Sequence, residues 1–126
     1  MRSHFDFMRS VQNRVHDLFL HACTQYPEAV SLLLRNDSLT YSSLLKYSCG
    51  IQAALAEFHG ANSLVGIFLE RSFSFFASVL GILLSGLAYV PVSTKYGLDR
   101  IQYILEFASP VTILSSNPYI ASLKQG

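Results

Sequence analysis

The sequence predicts an α/β domain with a mostly parallel sheet flanked by helices. Helical and strand patterns alternate along the second half of the chain, which is typical of parallel strands joined by helical crossovers. Residues 64–69 are continuously apolar, as expected for a strand covered on both faces. Hydrophobic residues make up 51% of the 126 residues and charged residues only 13%, so the chain has enough apolar surface for a sizeable core.

Residues 1–14 are expected to form a flexible leader. Charged and polar side chains interrupt this stretch repeatedly, so it lacks the apolar core of a signal peptide, and a cytoplasmic location is expected. A mitochondrial leader remains an alternative, because Arg2, Arg9 and Arg14 share the stretch with a single acid. The formal net charge of +1 is spread evenly, with no basic stripe to neutralise phosphates, so no nucleic-acid partner is expected.

The first elements are a helix and a hairpin. Apolar residues recur at helical spacing from Val15 to Tyr26, and Pro27 ends the pattern. Residues 29–35 predict a strand, residues 36–38 a turn, and the two residues after it a short returning strand. His16 and His21 are five residues apart and do not share one helical face, so they do not predict a metal site.

A second helix is predicted over residues 41–59, with Thr40 as its cap and Gly60 as its stop. The residues predicted to form its buried stripe are Leu44, Leu45, Tyr47, Ile51, Leu55 and Phe58. Cys23 and Cys49 lie in helical segments without CxxC spacing, which favours two buried reduced thiols over a metal or redox site.

The second half continues the alternation after residues 64–69. Ser72 can cap a helix whose two apolar faces predict deep packing. Gly86 then leads into a strand at residues 88–92, followed by an amphipathic helix from Leu98 to Ala108 and a strand at residues 111–114.

Two segments resemble functional motifs without meeting their requirements. Residues 81–86 have the glycine spacing of a phosphate loop, but an apolar interior and a following Leu87-Ala88 in place of Lys-Ser/Thr indicate helix packing. Glu70 and Arg71 are predicted to form a local ion pair rather than an acid–base device. The sequence therefore nominates no catalytic residue, no cofactor-binding residue and no metal ligand.

Three stretches in order resemble the front of the adenylate-forming (AMP-binding) superfamily, most of all the amino-acid adenylation domains of nonribosomal peptide synthetases. The first is VHDLF at residues 15–19 with PEAV at residues 27–30, and the second is LTYSSL at residues 39–44. The third and most specific runs from VGIFLERS at residues 65–72 through GLAYVPV at residues 86–92 to Tyr96, Arg100 and Ile101. Residues 15–126 are accordingly interpreted as an incomplete N-terminal subdomain of an adenylation domain.

Several polar positions depart from the family pattern. Ser43 stands where a glutamate usually closes a capping box, which weakens that cap by about 0.5–1 kcal/mol. Leu84, Ser93 and Gly97 stand where lysine, aspartate and proline are usual. The apolar scaffold is thus kept better than the polar positions around it.

The resemblance implies a fold and an activity that exceed this segment. Members of the superfamily join a carboxylic acid to ATP with release of pyrophosphate and usually pass the acyl group to a thiol. That chemistry requires a phosphate loop, an acid for Mg²⁺, an aspartate for the ribose and a mobile lysine, and none can be assigned here. A fragment that is inactive alone is expected; ATP and Mg²⁺ belong to an intact member, and its partners would be the rest of the domain and a carrier protein.

Two other interpretations remain open. Residues 72–94 contain no charged side chain and are long enough to cross a bilayer, so a small single-span membrane protein is one alternative, although Gly86 and Pro91 interrupt the run. A protein-interaction module is the other, because an incomplete subdomain exposes apolar surface that could bind a partner.

Overall fold

The computed structural model describes residues 15–58 and 63–116 and confirms the α/β class. Its helices and strands, in chain order, are α1 (Val15–Gln25), β1 (Val30–Leu34), β2 (Asp37–Thr40), α2 (Tyr41–Ala54), β3 (Leu64–Phe68), α3 (Phe73–Leu84), β4 (Ala88–Pro91), α4 (Leu98–Ala108) and β5 (Thr112–Ser115). The chain divides into two compact units between Lys46 and Tyr47. The expected leader and the expected stop at Gly60 lie outside the described residues.

The first unit contains α1 and an antiparallel hairpin of β1 and β2. The last pair of the ladder joins Leu34 to Asp37, so the hairpin loop consists of two residues only. The observed loop, residues 35–36, begins one residue before the turn that the sequence predicts at residues 36–38, so that prediction is wrong by one position. Arg35 begins the loop with a φ of 55°, a positive angle of the kind that tight hairpin turns need.

The start of α2 is capped as the sequence predicts. The main-chain N–H of Ser43 donates to Thr40 Oγ1 at 3.2 Å, and the Thr40 hydroxyl donates to Ser43 Oγ at 3.2 Å. The helix ends at Ala54, earlier than predicted, because the chain tightens into a turn there. The N–H of Leu55 is shared between the carbonyls of Ile51 and Gln52, a pattern common at helix ends.

Two residues of α2 contradict the predicted burial. The stripe does include Leu44 and Leu55, which are almost fully buried. Tyr47, however, is 55% exposed, and the buried place next to it is taken by Ser48. Cys49 is also exposed, because each residue of a helix turns about 100° from the last and Cys49 follows Ser48 directly. Only Cys23 is a buried thiol, as predicted.

The second unit is built on a parallel sheet with the strand order β4-β3-β5. Val65 pairs with Tyr89 on one side and with Thr112 on the other, so β3 is the central strand. The two crossovers run in opposite directions from one another across the sheet. Because both are expected to be right-handed, they place α3 and α4 on opposite faces.

The packing agrees with this three-layer arrangement. On one face, Val65 and Ile67 form a buried cluster with Ile82 of α3 and with Leu55. On the other face, Phe68 packs with Ile101 of α4. The prediction that the central strand is covered on both faces is thus confirmed.

Residues 72–94 do not form one helix. α3 ends at Leu84, Gly86 follows with a φ of 76°, and β4 begins at Ala88. Of the helices in residues 15–58 and 63–116, none combines the length and the apolar composition needed to cross a membrane. The interpretation of residues 72–94 as a membrane span is therefore wrong.

Candidate functional site at the carboxyl edge of the parallel sheet

The carboxyl ends of the three parallel strands meet at one edge of the sheet. The segments that leave this edge are residues 69–72 after β3, residues 92–97 after β4 and Ser116 after β5. In open α/β sheets, ligands bind at this edge, near the point where successive crossovers change direction. It is therefore the place in the second unit where functional side chains would be expected.

The segment after β3 is organised around Ser72. Its hydroxyl donates to the Glu70 carbonyl at 2.9 Å and accepts from the N–H of Phe75 at 3.2 Å, which caps α3 as predicted. Arg71 lies over the ring of Phe76, with 5.7 Å between the guanidinium carbon and the ring centroid. The contact that the structure gives Arg71 is therefore a cation–π contact with α3, where the sequence predicted an ion pair with Glu70.

The segment after β4 is held by a local turn and a second cation–π contact. Ser93 Oγ accepts from the N–H of Lys95 at 3.2 Å, and the N–H of Tyr96 donates to the Ser93 carbonyl at 3.2 Å. The guanidinium of Arg100 lies 4.2 Å from the centroid of the Tyr96 ring. This contact joins the loop to the first turn of α4, which begins without a side-chain cap at Gly97.

The end of β5 is tied to β3 by a side chain. The hydroxyl of Ser115 donates to the main-chain carbonyl of Phe68 at 2.8 Å. This bond lies at the last pair of the parallel ladder, Phe68 with Ser115. It fixes the carboxyl ends of the two strands against one another.

Several side chains at this edge make contacts that hold local structure together. Ser72 and Ser93 are occupied in a cap and a turn, and the two arginines lie on aromatic rings. Within the described ranges, no group of three or more His, Cys, Asp or Glu side chains could hold a metal ion. In the same part of the chain, no buried side-chain nitrogen or oxygen lacks a hydrogen-bond partner, so no orphaned group indicates a ligand.

Residues 81–84 of the glycine-rich segment belong to packed helix, as predicted, and Ser85 and Gly86 follow the end of α3. A Cβ on Gly81 would lie 2.5 Å from the Cβ of Ile51 and 2.8 Å from the carbonyl oxygen of Ser48. Because Gly81 has no side chain, α3 can lie close to the backbone of α2. The bond from Gln52 Nε2 to the Leu84 carbonyl at 3.1 Å joins the same two helices.

Sequence reasoning missed the Tyr96–Arg100 contact and the bond from Ser115 to Phe68. The first has a weak local signal, since an aromatic residue and an arginine four positions apart can meet at the start of a helix. The second joins residues 47 positions apart and depends on the register of β3 and β5. No local pattern in the sequence predicts that register.

Most of the chain is similar to a known protein family. The family model described as "AMP-binding enzyme" matches residues 19–125. Tyrocidine synthase 3 of Brevibacillus parabrevis is 36% identical over 117 residues, which is 92% of this chain and 2% of that protein. Gramicidin S synthase 1 of Brevibacillus brevis is 36% identical over 93 residues, which is 73% of this chain and 8% of that protein.

Two solved structures share the fold. The N-terminal subdomain of NpsA from Klebsiella oxytoca aligns with a TM-score of 0.72 and 24% identity, over 82% of this chain and 27% of that chain. The nonribosomal peptide synthetase FmoA3, in a form bound to AMPPNP, aligns with a TM-score of 0.76 and 27% identity, over 82% of this chain and 11% of that chain. The chain thus spans only a small part of each of these four proteins.

Proposed function

Because the chain belongs to the AMP-binding enzyme family, we propose that it serves as the first scaffold segment of a domain that activates an amino acid as its adenylate, and that this segment alone is inactive. The observation that supports the proposal is the carboxyl edge of the sheet, where Ser72, Arg71 and Arg100 stabilise local structure. The segment contributes a rigid α/β layer, and the reacting groups come from elsewhere in the domain.

We place ATP and Mg²⁺ outside this segment. In the family, ATP supplies the adenylyl group that the carboxylate acquires as pyrophosphate leaves. This placement is supported by the described residues, among which no group of three or more His, Cys, Asp or Glu side chains could hold a metal ion. What the segment does for the reaction is to hold the strands against which the catalytic part is built.

The partners proposed on this basis are the rest of an adenylation domain and, in the complete enzyme, a carrier protein. One of the solved relatives is an artificially fused adenylation–PCP di-domain of NpsA and ThdA. We propose a cytoplasmic location as well, which cell fractionation followed by immunoblotting would test. Recovery of the protein in mitochondria or in washed membranes would contradict it.

A graft tests the scaffold role. The matching segment of the adenylation domain of gramicidin S synthase 1 is replaced by this chain, and ATP–pyrophosphate exchange is measured with the acid that the host enzyme uses. We expect exchange by the graft, no exchange by the 126-residue chain alone, and none by a host that lacks the segment. Exchange by the chain alone would contradict its inactivity, and a folded but inactive graft would contradict the scaffold role.

The amino-acid substrate needs a separate test. The chain is joined to the downstream sequence of its own gene, and exchange is measured with a panel of amino acids and of aryl acids. Exchange that depends on an amino acid is expected, whereas exchange with aryl acids alone would contradict this part of the proposal. The competing interpretation, a protein-interaction module, predicts stable binding to a partner without exchange in either experiment.

A further inference from the structure

The outer side of α4 exposes two aromatic rings that lie against each other. Tyr103 is 67% exposed and Phe107 is 83% exposed, whereas Ile101 of the same helix is buried against the sheet. The two rings are four positions apart and share one helical face, and they stack with 6.3 Å between centroids and 16° between their planes. Together they form an apolar surface, which we call the aromatic stripe. Exposed apolar surface of this kind marks sites of protein interaction.

Charged residues border the aromatic stripe differently on its two sides. Asp99 and Glu106 are seven positions apart and therefore lie in one column along the helix, the acidic column. Arg100 and Phe107 are also seven positions apart and form a second column, the basic column. Because successive residues turn by about 100°, Tyr103 lies between the two columns. The three charged side chains are all exposed, so the stripe has one acidic border and one basic border.

Two of the bordering side chains are held in place within the chain. The guanidinium of Arg100 lies on the ring of Tyr96, 4.2 Å from its centroid. On the other border, Gln102 Nε2 donates to Glu106 Oε1 at 3.3 Å. Side chains that are already ordered lose less conformational entropy when a partner binds. The outer side of α4 is therefore suited to contact with another protein surface.

The arrangement of the charges fits a second copy of the same helix. When two copies of α4 lie side by side and parallel, two-fold symmetry brings the acidic column of each against the basic column of the other. Asp99 and Arg100 differ in height by one residue, about 1.5 Å, so the aspartate of one copy meets the arginine of the other. An antiparallel pair would instead place like columns together, and the acidic side chains would repel one another.

We propose that the aromatic stripe is a contact between two copies of this chain, with the two α4 helices parallel. Tyr103 and Phe107 of each copy pack against those of the other, and an Asp99–Arg100 ion pair lies on each side of them. The contact uses the side of α4 that faces away from the sheet. It is independent of the proposed scaffold role, because it needs no group that takes part in adenylation.

The size of the aromatic stripe determines the strength of the contact. Two aromatic side chains bury about 300–500 Å² in each copy, which is less than the about 800 Å² per partner of a stable interface. We therefore expect a weak dimer, with a dissociation constant of about 0.1 mM. At the concentrations of about 5 µM that are usual in unfolding experiments, the chain is then a monomer.

Sedimentation equilibrium of the 126-residue chain tests the contact. Between about 5 µM and about 1 mM, the average mass should rise from that of a monomer towards that of a dimer. Tyr103→Ser should weaken association at least about fivefold, whereas the control Tyr47→Ser should change it less than about twofold. Tyr47 is a suitable control because it is an exposed tyrosine of another helix, α2. A monomer at every concentration, or equal association by the two variants, would overturn the proposal.

Charge reversals test the parallel arrangement. Asp99→Arg places two arginines at each ion pair, and Arg100→Asp places two aspartates there. Each variant alone should associate at least about threefold more weakly than the unmodified chain. A mixture of the two variants restores both ion pairs, so its affinity should return to within about twofold of the unmodified one. Undiminished association by folded Asp99→Arg alone, or no recovery in the mixture, would overturn the arrangement, with far-UV circular dichroism reporting the fold.

The gramicidin S synthase 1 graft tests the other possible occupant, which is the rest of an adenylation domain. Association that depends on concentration and on Tyr103 should persist in the folded graft. Loss of this association in the graft would show that the rest of the domain covers the stripe, and it would overturn the assigned occupant. Sedimentation does not depend on pyrophosphate exchange, so failure of this contact and failure of the scaffold role are distinguishable.

Discussion

The two faces of the parallel sheet are covered by helices of different composition. α3 contains no charged residue, and its buried positions include Ala77, Ser78, Gly81 and Ile82. α4 buries Ile101, while Phe107 on its outer side is 83% exposed. α3 also contacts α2 through Gly81, so it is covered on two sides, whereas the packing that the described residues give to α4 is on the sheet. The composition of a crossover helix thus follows the number of its sides that are covered.

The largest expected effect comes from deleting the same side-chain volume on each face. Ile82→Ala and Ile101→Ala each leave a cavity, and such changes cost about 2–5 kcal/mol of unfolding free energy. Ile82 is fully buried among Leu55, Val65 and Ile67, so its replacement should cost more than that of Ile101. Urea unfolding of the two variants measures the difference. A larger loss for Ile101→Ala would contradict the view that the α3 face is the tighter one.

Replacing each of two glycines by alanine should give the next largest changes in the free energy of unfolding, and the two changes should have opposite signs. Gly81→Ala should lower the free energy of unfolding by about 1–3 kcal/mol, because its Cβ meets Ile51 and the Ser48 carbonyl. Gly50→Ala is the matched control in α2, where nothing lies within 4 Å of the new Cβ. There the better helix propensity of alanine should raise stability by about 0.5–1 kcal/mol. Thermal unfolding of both variants checks the signs, and a stabilising Gly81→Ala would refute the close approach.

The caps of α3 and α4 are expected to contribute less to stability than the buried residues. Ser72→Ala removes the side chain that accepts from the Phe75 N–H and should cost about 1 kcal/mol. Gly97→Ser adds a cap to α4, which has none, and should stabilise by a few tenths of a kcal/mol. Ser72→Asp serves as the control, since aspartate can accept the same bond. Equal unfolding midpoints for Ser72→Ala and the unmodified chain would show that the cap contributes nothing.

The smallest effect is expected on the outer side of α4. Phe107→Ser changes an exposed ring that stacks on Tyr103 with 6.3 Å between centroids, and its cost should stay within about 0.5 kcal/mol. Urea unfolding of this variant beside Ile101→Ala compares the two sides of one helix. A loss close to that of Ile101→Ala would show that the outer side of α4 is covered in solution.

Much of the second unit could be predicted from its sequence because it alternates strongly apolar segments with capped helices. The observed α4 has the predicted bounds, and the apolar run at residues 64–69 gave a central strand. Tyr47 and Cys49 were placed wrongly because helical periodicity does not separate a wide apolar stripe from its margins. The position of the hairpin loop was predicted wrongly because the residue with a positive φ is Arg35. A glycine, which adopts such angles readily, would have marked the position in the sequence.

The candidate site was less predictable than the fold. The sequence correctly predicted that Gly81 belongs to a packed helix and that Ser72 caps α3. The placement of β4 and β5 on either side of β3 in the described sheet could not be foreseen. Strand order depends on contacts far apart in sequence, which local patterns do not specify.

The strand order also has a consequence for synthesis on the ribosome. Of the three strands, β3 is synthesised first and occupies the centre of the sheet. Its neighbour β4 is synthesised next, and its other neighbour β5 is synthesised last. β3, α3 and β4 can pack together once they have left the ribosome. The bond between Phe68 and Ser115 forms later, because Ser115 is synthesised 47 residues after Phe68. During that interval, the main-chain groups of β3 that will pair with β5 are unpaired in this sheet and accessible to chaperones.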